Sequence, residues 1–306
     1  MPLSVVAGVD GSRESLAAVG WAAREALVRG LPLHLVHARE WQPYAHAPLA
    51  DPGAPNRRGE RALREAVAEV GLRHPGLEVT AEQVDGRPEA VLAAVAGEAE
   101  LLALGSHGVG GLAGLVMGSV ALAVAARAER PVVLVRAGRA EEDERRPDAS
   151  GLPSVSTPYR DVVLGLGPAG PCEEVLEFAF DAAARRAAAL RIAHGRAPAV
   201  PAGFGYGDAD PADPADAGPG RGPGYGEGED ADGLLHVWRR KFPEVEVREQ
   251  AVVGRPGRHL AEAASDACLV VVGRRARHSS AGAHIGPVAQ AVLHHCAAPV
   301  AVVPHG

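Results

Sequence analysis

The residues best suited to chemistry lie between Gly105 and Val120, in the stretch GSHGVGGLAGLVMGSV. Their spacing is Gly105-x2-Gly108-x9-Gly118-Ser119. Glycines directly after a parallel strand let the backbone turn sharply and bring peptide N–H groups close to an anion. Ser119, at the start of a helical segment, adds a hydroxyl donor. The same glycines would also serve a plain tight turn. Asp10 reads either as a helix-capping acid or as a polar anchor for a ligand. His107 reads either as an exposed loop residue or as a ligand contact. Catalysis has less support. No GK[ST] lysine lies in the loop, and the one lysine of the chain, Lys241, is remote from it. No base or arginine finger is fixed by the sequence, as fast phosphoryl transfer requires. Ser119 and His107 have no evident triad acid, and no catalytic residue is assigned. His294, His295 and Cys296 are consecutive in a helix, so their side chains point apart and suit no metal.

The elements that must position this loop emerge from an internal repeat. SVVAGVDGS at 4–12 is echoed by DVVLGLGPA at 161–169, and LHLVHAR at 33–39 by LRIAHGR at 190–196. Residues 84–106 are echoed by 252–274, and RPVVLVRAG at 130–138 by APVAVVPHG at 298–306. The offset between copies is 157 from Gly8 to Gly165, and 168 from Gly105 to Gly273. The second copy therefore carries 11 extra residues between its second strand and Phe242. Each copy reads as alternating strand and helix. In the first, strands are expected at Val5–Val9, Leu33–His37, Leu77–Gln83, Leu101–Gly105 and Val132–Val135. Helices are expected after the Ser12 cap and over 59–73, 88–98 and 112–128. Pro88 suits a first helical position. Continuous apolar strands between amphipathic helices imply parallel sheets covered on both faces. The expected fold is α/β, with two tandem doubly wound five-stranded parallel-sheet domains at 1–138 and 159–306 and a linker at 139–158.

The loop resembles the G-2x-G-9x-G-[S/T] motif of the universal stress protein family at every defined position. The likeness extends to the GVDGS start, the GRP before the third helix and the PVVLV closing strand. It covers both halves, so the chain is similar to a tandem universal stress protein with that family's adenine nucleotide hydrolase-like fold. The resemblance implies ATP binding in the first half. It places Gly8 and Asp10 near the nucleoside and the backbone of Ala38 near adenine. Gly105, Ser106, His107, Gly108, Gly118, Ser119 and Val120 would enclose ribose and phosphates. Asp10, a carboxylate near phosphate oxygens, is suited to help hold Mg2+. The second half departs from the motif. Gly167 replaces Asp10, Ala276 replaces Gly108, and Pro287 replaces Ser119 and so loses a hydroxyl and an N–H. Arg274, Arg275 and Arg277 could attract an anion without restoring a cradle. The second half is therefore expected to be a nucleotide-poor partner. The role implied is a stress-response sensor or regulator with at most slow ATP hydrolysis; the alternative is a nucleotide-independent adaptor. In the family, closing strands pair across dimers. Val132–Val135 and Val300–Val303 are therefore expected to pair within the chain as a pseudo-twofold, with a homodimer of chains by analogy.

Composition bounds the rest. The 306 residues are 47% hydrophobic but only 4% aromatic, so the cores must be built from Ala, Val and Leu. The formal charge of −7 matches segment 203–233 alone, where eight acids face a single arginine, Arg221. With the remainder neutral, no basic face suits a nucleic acid. The ten glycines and four prolines of that segment argue for a mobile acidic loop. The longest weakly apolar stretch, 112–126, is shorter than the ~20 residues that span a bilayer. Three cysteines, Cys172, Cys268 and Cys296, form no CxxC pair, which fits a reducing, cytoplasmic setting.

Overall fold

The computed structural model describes residues 3–40, 54–106, 118–152, 154–166, 172–196, 228–253, 256–276 and 285–306. In the first half, strands β1 (Val5–Gly8), β2 (Leu33–Arg39), β3 (Val79–Asp85), β4 (Leu101–Ser106) and β5 (Val132–Arg136) alternate with helices. These are α1 (Arg13–Arg29), α2 (Ala54–Arg73), α3 (Pro88–Gly97) and α4 (Ser119–Arg127). The second half repeats the pattern with β6 (Val162–Leu166), α5 (Glu173–Arg185), β7 (Leu190–Arg196), α6 (Gly228–Lys241), β8 (Val247–Val253), α7 (Pro256–Ala263), β9 (Leu269–Arg275), α8 (Pro287–His295) and β10 (Val300–His305).

The strands form one ten-stranded sheet in the order β3-β2-β1-β4-β5-β10-β9-β6-β7-β8. Every neighbouring pair is parallel except β5 with β10, which run antiparallel with Val133 opposite Ala301. The order reverses either side of β1 and of β6, as in doubly wound sheets. Alternation sends Val5, Ala7, Val133 and Val135 to one face, and Val6, Val132 and Leu134 to the other. Each face carries a continuous core from both halves, so the β5–β10 seam is buried on both sides.

Several expected boundaries shift. Strand β3 begins at Val79 because Leu77 is still in the turn that follows α2, its N–H donating to the His74 carbonyl. Helix α2 starts at Ala54, earlier than residue 59, and α4 covers Ser119–Arg127 of the expected 112–128. The segment 203–233 is not all loop: residues 228–233 belong to α6. Composition hid this because the acidic stretch runs straight into an apolar stripe. Leu235 and Trp238 are buried, and Phe180, Trp238 and Phe242 pack as an aromatic cluster with centroids 5.7–6.1 Å apart. The rest of the loop, through 227, lies outside the described residues.

The segment 139–158 is no slack tether. It forms a short 3-10 turn at Glu141–Glu144, and Arg145 bridges to Tyr159. Glu144 is buried and accepts from Arg24 of α1 at 2.6 Å. Beside it, Glu25 of α1 is 1% exposed and lies between Arg29, at 2.6 Å, and Arg186 of the second half. Arg29 also reaches Asp181 of α5 at 3.1 Å. The three cysteines are free thiols. Burial pushes the Cys268 thiol up to about 12, and also raises those of Cys172 and Cys296. Among the described residues, no helix is long and apolar enough to cross a membrane.

Burial pulls the Glu25 carboxyl upward, but Arg186 and Arg29 outweigh it and hold it below 4.5. A depressed carboxylate contributes stability that is present above its unfolded value and lost as pH falls through the folded one. Glu25→Gln should cost about 3–5 kcal/mol in urea unfolding, because it leaves the buried Arg186 guanidinium without its carboxylate. It should also flatten the fall in stability below pH 4.5. An unchanged urea midpoint, with an unchanged acid profile, would refute this account.

Candidate functional site

The site is built where β1 and β4 end. Strand β1 stops at Gly8, and the chain turns through Gly11, whose φ of +82° belongs to the left-handed region that glycine adopts freely. Ser12 then caps α1, its hydroxyl accepting from the Ser15 N–H at 3.1 Å. The Asp10 carboxylate accepts from the Ser12 N–H at 2.8 Å, and the Asp10 N–H donates to the Ser15 hydroxyl at 3.3 Å. Partial burial raises the Asp10 carboxyl, but the hydrogen bonds from Ser12 and Ser15 outweigh it and keep it below its ordinary value. Asp10 is therefore held ionised in a fixed turn. Of its two readings, the structural one has a visible part: it shapes the start of α1.

A cavity of about 230 Å³ opens beside this turn. Gly8, Asp10 and Ala38 line it from the ends of β1 and β2, Gly105 from β4, and Gly118, Ser119 and Val120 from the start of α4. The first turn of α1 adds Ser12, Glu14 and Ser15, while Val36, Pro88, Leu92 and Leu104 give it an apolar side. Ser12 and Pro88 were legible as helix starts, and the apolar wall had no motif to announce it. Ser106 does not reach the cavity. It is buried at the end of β4, with its hydroxyl donating to the Val135 carbonyl at 3.3 Å. His107 and Gly108 lie outside the described residues.

Two helix N-termini border the cavity, α1 at Ser12 and α4 at Gly118–Ser119. Both present the positive end of a helix dipole, and α4 has no side-chain cap on its first N–H groups, an environment that favours anions. The apolar wall suits the flat face of an aromatic base. The residues present therefore fit a nucleotide. Among the described residues no cluster of three metal-ligating side chains occurs, so a divalent cation here would depend on Asp10 and the ligand's own oxygens.

Among the described residues, the second half differs at the two positions that the motif contrast singles out, Ala276 and Pro287. Pro287 occupies the first position of α8 and brings no N–H. Arg274, expected to be available to an anion, is buried and donates to the carbonyl of Ala128 at the end of α4. A larger cavity, about 440 Å³, lies along α1 on the sheet's other face. Its arginines are largely committed, Arg24 to Glu144 at 2.6 Å and Arg73 to Glu69 at 3.0 Å.

The model of the universal stress protein family matches residues 1–136 and again 158–304. The chain belongs to the universal stress protein family. A universal stress protein of Mycobacterium tuberculosis is 31% identical over 306 residues, covering 97% of this chain and 96% of its own length. A second from the same organism is 30% identical, covering 98% of this chain and 94% of its own. A crystal structure of a universal stress protein from Archaeoglobus fulgidus superposes with a TM-score of 0.67 at 14% identity, covering 99% of this chain and 98% of that one. At that identity the likeness speaks to the fold of this universal stress protein and not to its ligand.

Two cavity glycines should differ in their tolerance. A Cβ on Gly105 would lie 2.4 Å from the Glu14 carbonyl carbon, so α1 itself would have to move. A Cβ on Gly8 would meet the tips of Leu104 at 2.6 Å and Leu92 at 3.3 Å, which can turn aside. Gly105→Ala should therefore cost about 1–3 kcal/mol, and Gly8→Ala clearly less. Equal losses in paired thermal melts would show that Gly105 has no special contact with α1.

Proposed function

We propose that this universal stress protein binds ATP in its first half, one molecule per chain, in the cavity between β1, β4 and α4. What carries the reading is the convergence of two helix N-termini on one cavity that also has an apolar wall. Adenine would lie along the apolar side near the Ala38 backbone, and the phosphates would face Gly118, Ser119 and the glycine loop. Asp10 would anchor the nucleoside side or, with phosphate oxygens, Mg2+. The second half would bind no nucleotide, because Pro287 removes a donor and Arg274 is engaged elsewhere. We read the chain as two domains, 1–138 and 159–306, joined through their closing strands as an internal pseudo-dimer. Its role would be that of a cytoplasmic sensor or regulator in a stress response, in which nucleotide occupancy is the signal.

Titration calorimetry with ATP, ADP and AMP on the full chain tests this reading. One site per chain is expected. Asp10→Ala and Gly118→Val should each weaken it at least tenfold, by loss of a polar anchor and by a side chain projecting into the phosphate space. Two ATP per chain, or undiminished binding in Gly118→Val, would overturn it.

A further inference from the structure

Helix α4 is an unusual support for a binding site. Its N-terminus lines the cavity, yet it holds to the sheet by small side chains: Ala121, Val124, Ala125 and Ala126 are its buried residues. Val120 and Leu122 add partly buried contacts, so the helix is held by modest apolar surface. The other end carries the compensation. The last turn closes at Ala128, whose N–H donates to Val124, and the Ala128 carbonyl accepts from the guanidinium of Arg274. Arg274 comes from the end of β9, in the other half of the chain.

That arginine is costly where it stands. It is 5% exposed, has no carboxylate within ion-pair distance among the described residues, and leaves its Nε–H without a partner. Burial alone lowers its pKa, with no acid to oppose the shift. The Ala128 carbonyl just past the helix end accepts from it, and the negative end of the α4 dipole lies beside the charge. A phosphate at the front of α4 and a guanidinium behind it both favour the same alignment of the helix. The antiparallel β5–β10 seam makes this possible, because it sets the strand ends of the second half beside the rear of α4.

We propose that Arg274 is a positioning residue for the nucleotide site of the first half: the second half supplies the cation that fixes α4 from behind. This rests on the nucleotide reading above. By linkage, whatever ATP binding contributes to the order of α4 must reappear as an effect of Arg274 on ATP affinity.

The test uses the full chain and ATP as probe. Arg274→Met keeps the stem and removes charge and donor, and Arg274→Lys restores the charge. Arg191→Met is the control, because Arg191 also donates to a helix-end carbonyl, that of Ala263 in α7 at 2.9 Å, inside the second half, where it additionally pairs with Asp266 at 2.8 Å. Arg274→Met should weaken ATP binding about threefold to thirtyfold, with partial rescue by Arg274→Lys. Hydrogen exchange at residues 119–127 should quicken in ligand-free Arg274→Met. Arg191→Met should lower Tm and leave the ATP Kd unchanged. If Arg274→Met lowers Tm but not ATP affinity, or Arg191→Met weakens ATP equally, the positioning role is wrong. Wild-type protein that binds no ATP overturns the nucleotide reading, and this role with it.

Discussion

The antiparallel ladder between β5 and β10 is the contact on which the rest of the molecule depends. Both strands are apolar on both faces, Val132–Val135 against Val300–Val303, and an open edge of that kind pairs with whatever strand it meets. Closing the edge within one chain turns two parallel sheets into one continuous sheet with shared cores. The antiparallel sense matters as much as the closure. It points the strand ends of the two halves in opposite directions, so the front of each half borders the rear of the other.

That geometry explains where the charges went. Arg136, at the end of β5, donates to the carbonyls of Leu293 and His294 at the end of α8, and Arg274 does the same for α4. On the sheet's other face, Glu25, Arg29, Arg186 and Asp181 bring α1 and α5 together. A buried ion pair is a modest source of net stability, since desolvation offsets much of its attraction. Its larger effect is on uniqueness. A slipped ladder would strand Glu25 or Arg186 without a partner, and that penalty selects one register.

Most of the architecture was legible in the sequence, because repeats, strand runs and helix starts are local signals. The repeat offsets located the halves, and Ser12 and Pro88 marked helix starts that the structure retains. Boundaries failed where long-range packing decided them. Residues 228–233 look like loop by composition, yet they join a helix anchored by Trp238 and Leu235 on Phe180, far away in sequence. Ser106 lies at an undefined position within the motif, and the strand alternation that turns its hydroxyl to Val135 is invisible in a motif. Arg274 looked like an anion ligand because an arginine in a loop sequence carries no sign of the helix end that will claim it.

The cysteines have a consequence of another kind. Attack on peroxide or disulfide requires a thiolate, and a thiol with its pKa near 12 yields almost none at neutral pH. Cys268 is sealed in the core, Cys296 is buried behind α8, and Cys172 is likewise shifted upward. A shared core built this way is chemically quiet toward oxidants. Oxidants in the surrounding solution would therefore find little thiolate at Cys268 or Cys296 to react with.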